Sequence, residues 1–154
     1  METWGVISDT HGLLRPEAVE KLAGVSRILH AGDVGDARIL DELQTIAPVT
    51  AVRGNVDHHD RVAELPLHEA IEFGEHLIYL THIREEIDLD PEVAGMSMVI
   101  FGHTHSPVIE ARGKVTWFNP GSIGPRRFQL PVSLGLLTLQ DDGSLAPELI
   151  ELDV

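Results

Sequence analysis

The chain has 154 residues, 43% of them hydrophobic, and its formal net charge is −14 at pH 7. This length predicts one domain, residues 1–154, with one sizeable core. The acidic balance argues against a broad nucleic-acid surface or an anionic-membrane partner, and the lack of cysteine excludes disulfides, thiolate metal sites and a cysteine nucleophile.

The apolar stretches are short and interrupted, and residues 98–101 are a typical example. None of them can span a bilayer. The N-terminal residues 1–4 lack the basic region and the long apolar run of a secretory signal. We therefore expect a cytoplasmic protein.

The first half of the chain alternates predicted strands with predicted helices. Strands are predicted at residues 4–8, 27–30 and 49–52, and helices at residues 16–23 and 37–43. Pro16 suits the first turn of a helix, where its missing N–H is not needed, and Asp36 can cap the second helix. This alternation is typical of an α/β protein.

Strands dominate the second half. Hairpins are predicted at residues 69–80 and 108–118, single strands at 98–101, 132–139 and 149–152, and one short helix at 91–94. Two facing mixed sheets with helices outside would accommodate both halves. The unpaired edges of such sheets permit a homodimer.

Polar clusters follow five of the apolar strands directly. They are residues 9–12 (Asp-Thr-His-Gly), 32–33 (Gly-Asp), 54–57 (Gly-Asn-Val-Asp), 81–82 (Thr-His) and 102–105 (Gly-His-Thr-His). Ligands of α/β proteins bind beyond the carboxyl ends of the strands, where such clusters converge. Each cluster is weak alone, but all five in this position predict one shared site.

The predicted metal ligands are the carboxylates, the amide and the imidazoles of these clusters. They are Asp9, His11, Asp33, Asn55, His82, His103 and His105. Oxygen and nitrogen ligands together suit manganese, iron, zinc, cobalt or nickel better than magnesium or calcium. Seven ligands exceed the shell of one ion, so we expect two divalent ions, bridged by Asp33.

These motifs resemble those of the calcineurin-like metallophosphoesterase superfamily, and they are most similar to its compact YfcE-type phosphodiesterase branch. The resemblance rests on residues 8–12, 102–105 and 119–122 and extends over nearly the whole chain. It implies a four-layer α-β-β-α sandwich. It also implies one ion on Asp9, His11, Asp33 and His105, a second on Asp33, Asn55, His82 and His103, and manganese as the usual metal.

The expected reaction is hydrolysis of a small phosphate ester, most simply a phosphodiester, by a hydroxide that bridges the two ions. Asp33, Asn55 and His103 are expected to be catalytic because they position metal and phosphate. Asn55, Asn119, Arg126 and Arg127 are candidate substrate contacts. Asp57 is either a support for a neighbouring ligand or a turn residue.

Two positions depart from the superfamily pattern. Val56 stands where many members carry a histidine that protonates the leaving group, so His58 and His59 are either a substitute for it or exposed loop residues. Ile83 stands where glycine is common, and its branched side chain is expected either to alter the loop at residues 84–86 or to narrow the pocket. Two alternatives remain open: a phosphomonoesterase, and a non-catalytic scaffold of the retromer-subunit type that retains the metal ligands.

Overall fold

Two five-stranded sheets face each other in the computed structural model, which describes residues 1–154. The strands are β1 (Glu2–Ile7), β2 (Arg27–His30), β3 (Val49–Ala51), β4 (His68–Phe73), β5 (His76–Thr81), β6 (Met98–Ile100), β7 (Val108–Arg112), β8 (Val115–Asn119), β9 (Ser133–Leu139) and β10 (Leu145–Glu151). The α-helices are α1 (Pro16–Lys21) and α2 (Ala37–Gln44), and 3₁₀ helices occupy Asp60–Glu64 and Arg84–Glu86.

Both sheets are mixed. The first has the strand order β10-β9-β1-β2-β3, in which β1, β2 and β3 are parallel. The second has the order β4-β5-β6-β8-β7, in which β5, β6 and β8 are parallel. The prediction of two facing mixed sheets is therefore confirmed.

The space between the sheets is filled by apolar side chains from both of them. Leu29 of the first sheet and Ile78, Ile100 and Phe118 of the second are among the fully buried residues of this cluster. Trp4 stacks on Phe73 with 3.7 Å between the ring centroids. This shared core fixes the two sheets against each other, so that the loops at their edges have defined positions.

The two α-helices cover the outer face of the first sheet. Leu22 and Leu43 are fully buried there in one cluster with Ile7 and Ile28. Pro16 is the first residue of α1, and the Asp36 carboxylate accepts a hydrogen bond from the Arg38 N–H at the start of α2. Both predicted helix starts are confirmed.

The outer face of the second sheet is covered by the 3₁₀ helix Arg84–Glu86 and by the segment after it. Tyr79, Met96, Val99 and Val115 form the apolar cluster on this face. The helix predicted at residues 91–94 is wrong: the segment is a run of turns, because four residues ending near Gly95 are too few to sustain helical hydrogen bonding. None of the helices is long and apolar enough to span a bilayer.

Candidate metal centre

The predicted ligands lie in the loops that follow β1, β2, β3, β5 and β6. Two groups form there, Asp9 with His11 and His105, and Asp33 with His82 and His103, and within each group the ligand atoms lie within 4.8 Å of one another. These residues come from five loops that are distant in sequence. The structure brings them together because the parallel strands end at the same edge of the sandwich.

The two carboxylates lie between the imidazoles. Asp9 Oδ1 is 3.3 Å from His105 Nε2 and 3.5 Å from His11 Nε2. Asp33 Oδ2 is 3.1 Å from His82 Nε2 and 3.6 Å from His11 Nε2. Asp33 therefore contacts members of both groups, which is the position predicted for a bridging ligand.

Asn55 joins the second group through its side-chain oxygen. Asn55 Oδ1 is 3.0 Å from His82 Nε2 and 3.1 Å from His103 Nδ1. All seven predicted ligands thus meet at one edge of the sandwich.

Several polar atoms of this cluster are buried without a hydrogen-bond partner. They are Asp9 Oδ1, His11 Nε2 and both ring nitrogens of His105. A buried polar atom without a partner costs about 1–3 kcal/mol, and this cost is avoided when the atom coordinates a cation. Carboxylate oxygens and imidazole nitrogens are the donors that divalent transition metals prefer, so the residues fit such ions.

The backbone is strained at the same positions. Positive φ angles between 46° and 72° occur at five predicted ligands: Asp9, His11, Asp33, His103 and His105. The two remaining non-glycine residues with positive φ are Asp60 and Phe128. The left-handed region is unfavourable for L-residues and is concentrated at functional sites. Five of these seven residues are predicted ligands. The strained backbone is therefore concentrated in the loops that form the site.

The carboxylates and imidazoles shift one another's ionisation. Burial raises the pKa of Asp9, but the imidazoles of His105 and His11 outweigh it, so this pKa lies well below its usual range. Burial also raises the pKa of Asp33, but the imidazole of His82 outweighs this effect, so the pKa of Asp33 is lowered. The Asp9 carboxylate raises the pKa of His11. Burial lowers the pKa of His82, but the Asp33 carboxylate outweighs this effect, so the pKa of His82 is raised.

These shifts predict how the stability of the metal-free protein depends on pH. Because the pKa values of Asp9 and Asp33 are lowered in the folded protein, these carboxylates stabilise the fold above about pH 4, and this stabilisation is lost as pH falls. The raised pKa values of His11 and His82 stabilise it below about pH 6.5, and this is lost as pH rises through the folded-state values. We expect the Tm of chelator-treated protein, measured by calorimetry, to fall as pH rises from about 6.5 to 8.5.

Added Mn²⁺ should remove or reverse that fall, because neutral imidazoles bind the metal. A control with both His11 and His82 changed to glutamine should show a flatter profile without metal. A metal-free Tm that rises across this range in the unsubstituted protein would contradict the assignment of the shifts.

Asp57 holds two of the ligand loops in place. Its buried carboxylate accepts hydrogen bonds from the backbone N–H groups of Val34 (3.2 Å), Gly35 (3.0 Å) and Gly54 (2.9 Å). These loops carry Asp33 and Asn55. Of the two interpretations drawn from the sequence, the contacts favour a support for neighbouring ligands.

A buried histidine that the sequence did not single out joins the first two ligand loops. His30 Nδ1 accepts from the Gly32 N–H at 3.1 Å, and His30 Nε2 lies 3.0 Å from the Thr10 hydroxyl, which donates to the Val34 carbonyl. Burial lowers the pKa of His30 to about 4, so the ring is neutral at pH 7. The only sequence signal was its position at a strand end.

The predicted substrate contacts separate into different roles. Asn119 is fully buried; its side-chain N–H groups donate to the Gly102 carbonyl and the Thr104 hydroxyl, and its Oδ1 accepts from the Gly121 N–H. A substrate contact by Asn119 stays a prediction. Its hydrogen bonds depend on tertiary neighbours that the sequence alone does not reveal.

Arg126 and Arg127 also differ. The Arg126 guanidinium donates to the carbonyl oxygens of Leu130 and Val154, and it therefore holds the loop closed. Arg127 lies near enough to His11 for its charge to lower that pKa, and it lines a cleft beside His11 and His105. The Arg127 guanidinium makes no hydrogen bond within the protein, and an anion contact by Arg127 stays a prediction.

His58 and His59, the candidate proton donors, are both exposed. Hydrogen bonds from Arg38 are the main cause of the lowered pKa of Asp36, and the imidazole of His59 adds a smaller lowering contribution, so His59 lies on the side of the α2 start. Val56 contributes only its backbone: its N–H donates to Asp33 Oδ1 at 3.0 Å.

Facing mixed sheets with clustered carboxylates and imidazoles at one edge define a metal-binding α/β sandwich protein. The chain belongs to the calcineurin-like phosphoesterase superfamily, whose domain matches residues 3–142. Members of this family use divalent metals, and the two candidate ligand groups fit that chemistry.

Relatives of the chain are found in archaea and bacteria. A protein named as a probable metallophosphoesterase from Methanocaldococcus jannaschii is 37% identical over 77% of this chain, and the match spans 66% of that protein's own length. Phosphodiesterase YfcE of Escherichia coli K12 is 30% identical over 84% of each chain.

A solved structure of vacuolar protein sorting 29 from Cryptosporidium parvum has the same fold. Its TM-score is 0.78 at 20% identity, with 97% of each chain covered. This likeness concerns the fold alone.

Proposed function

We propose that this protein is a phosphodiesterase that uses two divalent ions, most simply Mn²⁺. The observation that carries the proposal is the convergence of all seven predicted ligands around buried oxygen and nitrogen atoms without hydrogen-bond partners. The resemblance to a relative named as a phosphodiesterase supports the diester as substrate.

In each of the two carboxylates, one oxygen accepts hydrogen bonds from the protein and the other faces the imidazoles of the site. Asp9 Oδ2 accepts from the Ser8 hydroxyl at 2.5 Å and from the His103 N–H at 3.2 Å, which leaves Oδ1 facing the imidazoles. Asp33 Oδ1 accepts from Val56 N–H, which leaves Oδ2 facing them. The free oxygens are thus oriented before any ion binds.

The bound ions would supply a nucleophile from water and would offset the negative charge of the phosphoryl group. Asp9, His11 and His105 would hold one ion, His82, His103 and Asn55 the other, and Asp33 would contribute to both. Asn55 is the one exposed member of this set and is placed to contact a phosphoryl oxygen as well. Arg127 would bind an oxygen of the substrate on the His11 side.

The direct test is hydrolysis by protein stripped of metal and then reloaded. Bis-(p-nitrophenyl) phosphate should be hydrolysed only after Mn²⁺ is returned, and with higher kcat/KM than p-nitrophenyl phosphate. Higher kcat/KM for the monoester would instead support a phosphomonoesterase. No metal-dependent hydrolysis of either ester would favour the scaffold alternative, which the shared fold of vacuolar protein sorting 29 leaves open.

His58 and His59 provide a separate prediction, because Val56 cannot transfer a proton. Changing both histidines to alanine should lower kcat for diesters with alkyl leaving groups by about 10²-fold. The same change should barely affect nitrophenyl esters, whose leaving group needs no proton. Equal slowing of both ester types, or no slowing, would assign the leaving-group proton to another source.

A further inference from the structure

Two clefts of different size flank the ligand cluster. One, of about 270 Å³, is lined by His11, His105 and the segment Pro125–Arg127. The other, of about 80 Å³, lies on the opposite side against Asn55 and His82. Because each cleft includes predicted ligands, a diester bound at the cluster would extend one ester group into each.

The charges of the two clefts differ. The larger one contains two arginines and no acidic residue. The smaller one is also lined by Arg53, Leu67, His68, Ile83 and Glu86. It therefore combines one arginine, one carboxylate and the imidazoles of His68 and His82 with two apolar side chains.

Polar groups of the smaller cleft are already partly engaged by the protein. The Arg53 guanidinium donates to the Ala63 carbonyl at 3.2 Å, and His68 Nδ1 lies 2.9 Å from the Thr81 hydroxyl. The remaining donors of Arg53, the second ring nitrogen of His68 and the Glu86 carboxylate are left for a ligand. A charge-balanced set of donors and acceptors suits hydroxyl groups better than a second phosphate or a bulky aromatic ring.

The Ile83 wall of this cleft is rigidly held. Ile83 lies between His82 and the 3₁₀ helix Arg84–Glu86, and its carbonyl accepts from the Glu86 N–H at 3.1 Å. The Arg84 guanidinium lies 5.0 Å from the ring centre of Phe101 and 4.8 Å from that of Trp117. These cation–π contacts anchor the helix that follows Ile83, and the half-buried Ile83 side chain lines the cleft beside it.

We propose that the Ile83 cleft is the specificity pocket of this protein and that it admits a small, uncharged, hydroxylated ester group such as a glyceryl group. The larger or anionic part of the diester lies on the Arg127 side. The substrate class is then an unsymmetrical phosphodiester of a small polyol. This inference rests on the proposed phosphodiesterase function.

The test compares two synthetic diesters that share the p-nitrophenyl leaving group. One carries a 2,3-dihydroxypropyl group and the other a phenyl group as the second ester. The larger cleft accommodates the nitrophenyl group better than the small cleft does, so the second ester group is expected to occupy the small cleft. We expect kcat/KM to favour the dihydroxypropyl ester by about tenfold or more, and Ile83→Ala to reduce this ratio to about threefold or less.

The matched control is Ile87→Ala. Ile87 lies in the same segment and packs on the Tyr79 cluster but does not line the cleft. It should leave the ratio of the two diesters unchanged. A thermal melt of each variant verifies that both are folded.

A binding measurement separates this inference from the proposed activity. Calorimetric titration of the Mn²⁺-supplemented protein with glycerol 3-phosphate and with phenyl phosphate gives a Kd ratio that does not depend on turnover. A ratio that shifts in Ile83→Ala but not in Ile87→Ala supports the pocket, even if no diester is hydrolysed and the proposed activity fails. The proposed pocket is overturned if the kcat/KM ratio of the two diesters, or the Kd ratio of the two phosphates, is the same in Ile83→Ala and Ile87→Ala. It is also overturned if neither phosphate binds.

Discussion

Replacing Asp33 with asparagine is expected to lower kcat/KM for bis-(p-nitrophenyl) phosphate by ~10³-fold or more, equivalent to about 4 kcal/mol of transition-state stabilisation. Asp33 Oδ2 lies 3.1 Å from His82 and 3.6 Å from His11, so the carboxylate contacts both ligand groups. Asparagine keeps the shape but removes the charge that two neighbouring cations require. The number of Mn²⁺ ions bound per chain, measured by elemental analysis, should fall with the activity.

Asp36→Asn is the matched control for this substitution. Asp36 is in the same loop and caps α2, a role that asparagine fills equally well. Metal content and turnover should stay within about twofold of the unsubstituted protein. Full activity of Asp33→Asn with two ions still bound would contradict the placement of Asp33 at the centre of the site.

Replacing Asp57 with alanine is expected to destabilise the fold by roughly 3–5 kcal/mol, because three backbone N–H groups would lose their acceptor. That corresponds to a Tm lower by roughly 6–20 °C for a domain of this size. Since those N–H groups belong to the loops that carry Asp33 and Asn55, Mn²⁺ affinity should also weaken by about 10–100-fold. Calorimetry gives both quantities.

Asp153→Ala removes an exposed carboxylate near the C-terminus and provides the comparison. Its Tm and Mn²⁺ affinity should be unchanged. If Asp57→Ala lowered the Tm but left Mn²⁺ affinity intact, Asp57 would be a turn residue only and would not support the ligands.

The strand ends could be predicted from the sequence because two local signals agree there. An apolar run followed at once by Gly-Asp or Gly-His needs no knowledge of tertiary contacts, and the parallel strands then bring these ends together. The bridging position of Asp33 was predicted from the number of ligands, and in the structure Asp33 contacts both ligand groups. Trp4 lies in an apolar strand pattern and is buried.

Features that depend on tertiary neighbours could not be predicted in this way. The sequence names Asn119 as a candidate substrate contact, but only the fold shows that its amide is enclosed by Gly102, Thr104 and Gly121 at the end of β8. Arg126 and Arg127 are adjacent and chemically identical, and only the fold shows that Arg126 is engaged by the carbonyl oxygens of Leu130 and Val154.

The last strand begins earlier in the structure than was predicted from the sequence. β10 begins at Leu145, four residues before the predicted start, and it includes Pro147. Proline has no backbone N–H to donate to a neighbouring strand. β10 pairs only with β9 and is an edge strand, where that missing donor is tolerated.

Anomalous diffraction from crystals grown with Mn²⁺ tests the central claim most directly. We expect two peaks about 3.5–4 Å apart, one at Asp9, His11 and His105 and one at His82, His103 and Asn55, with Asp33 contacting both ions. A map without a peak at these side chains, or with a single ion that leaves one group uncoordinated, would contradict it.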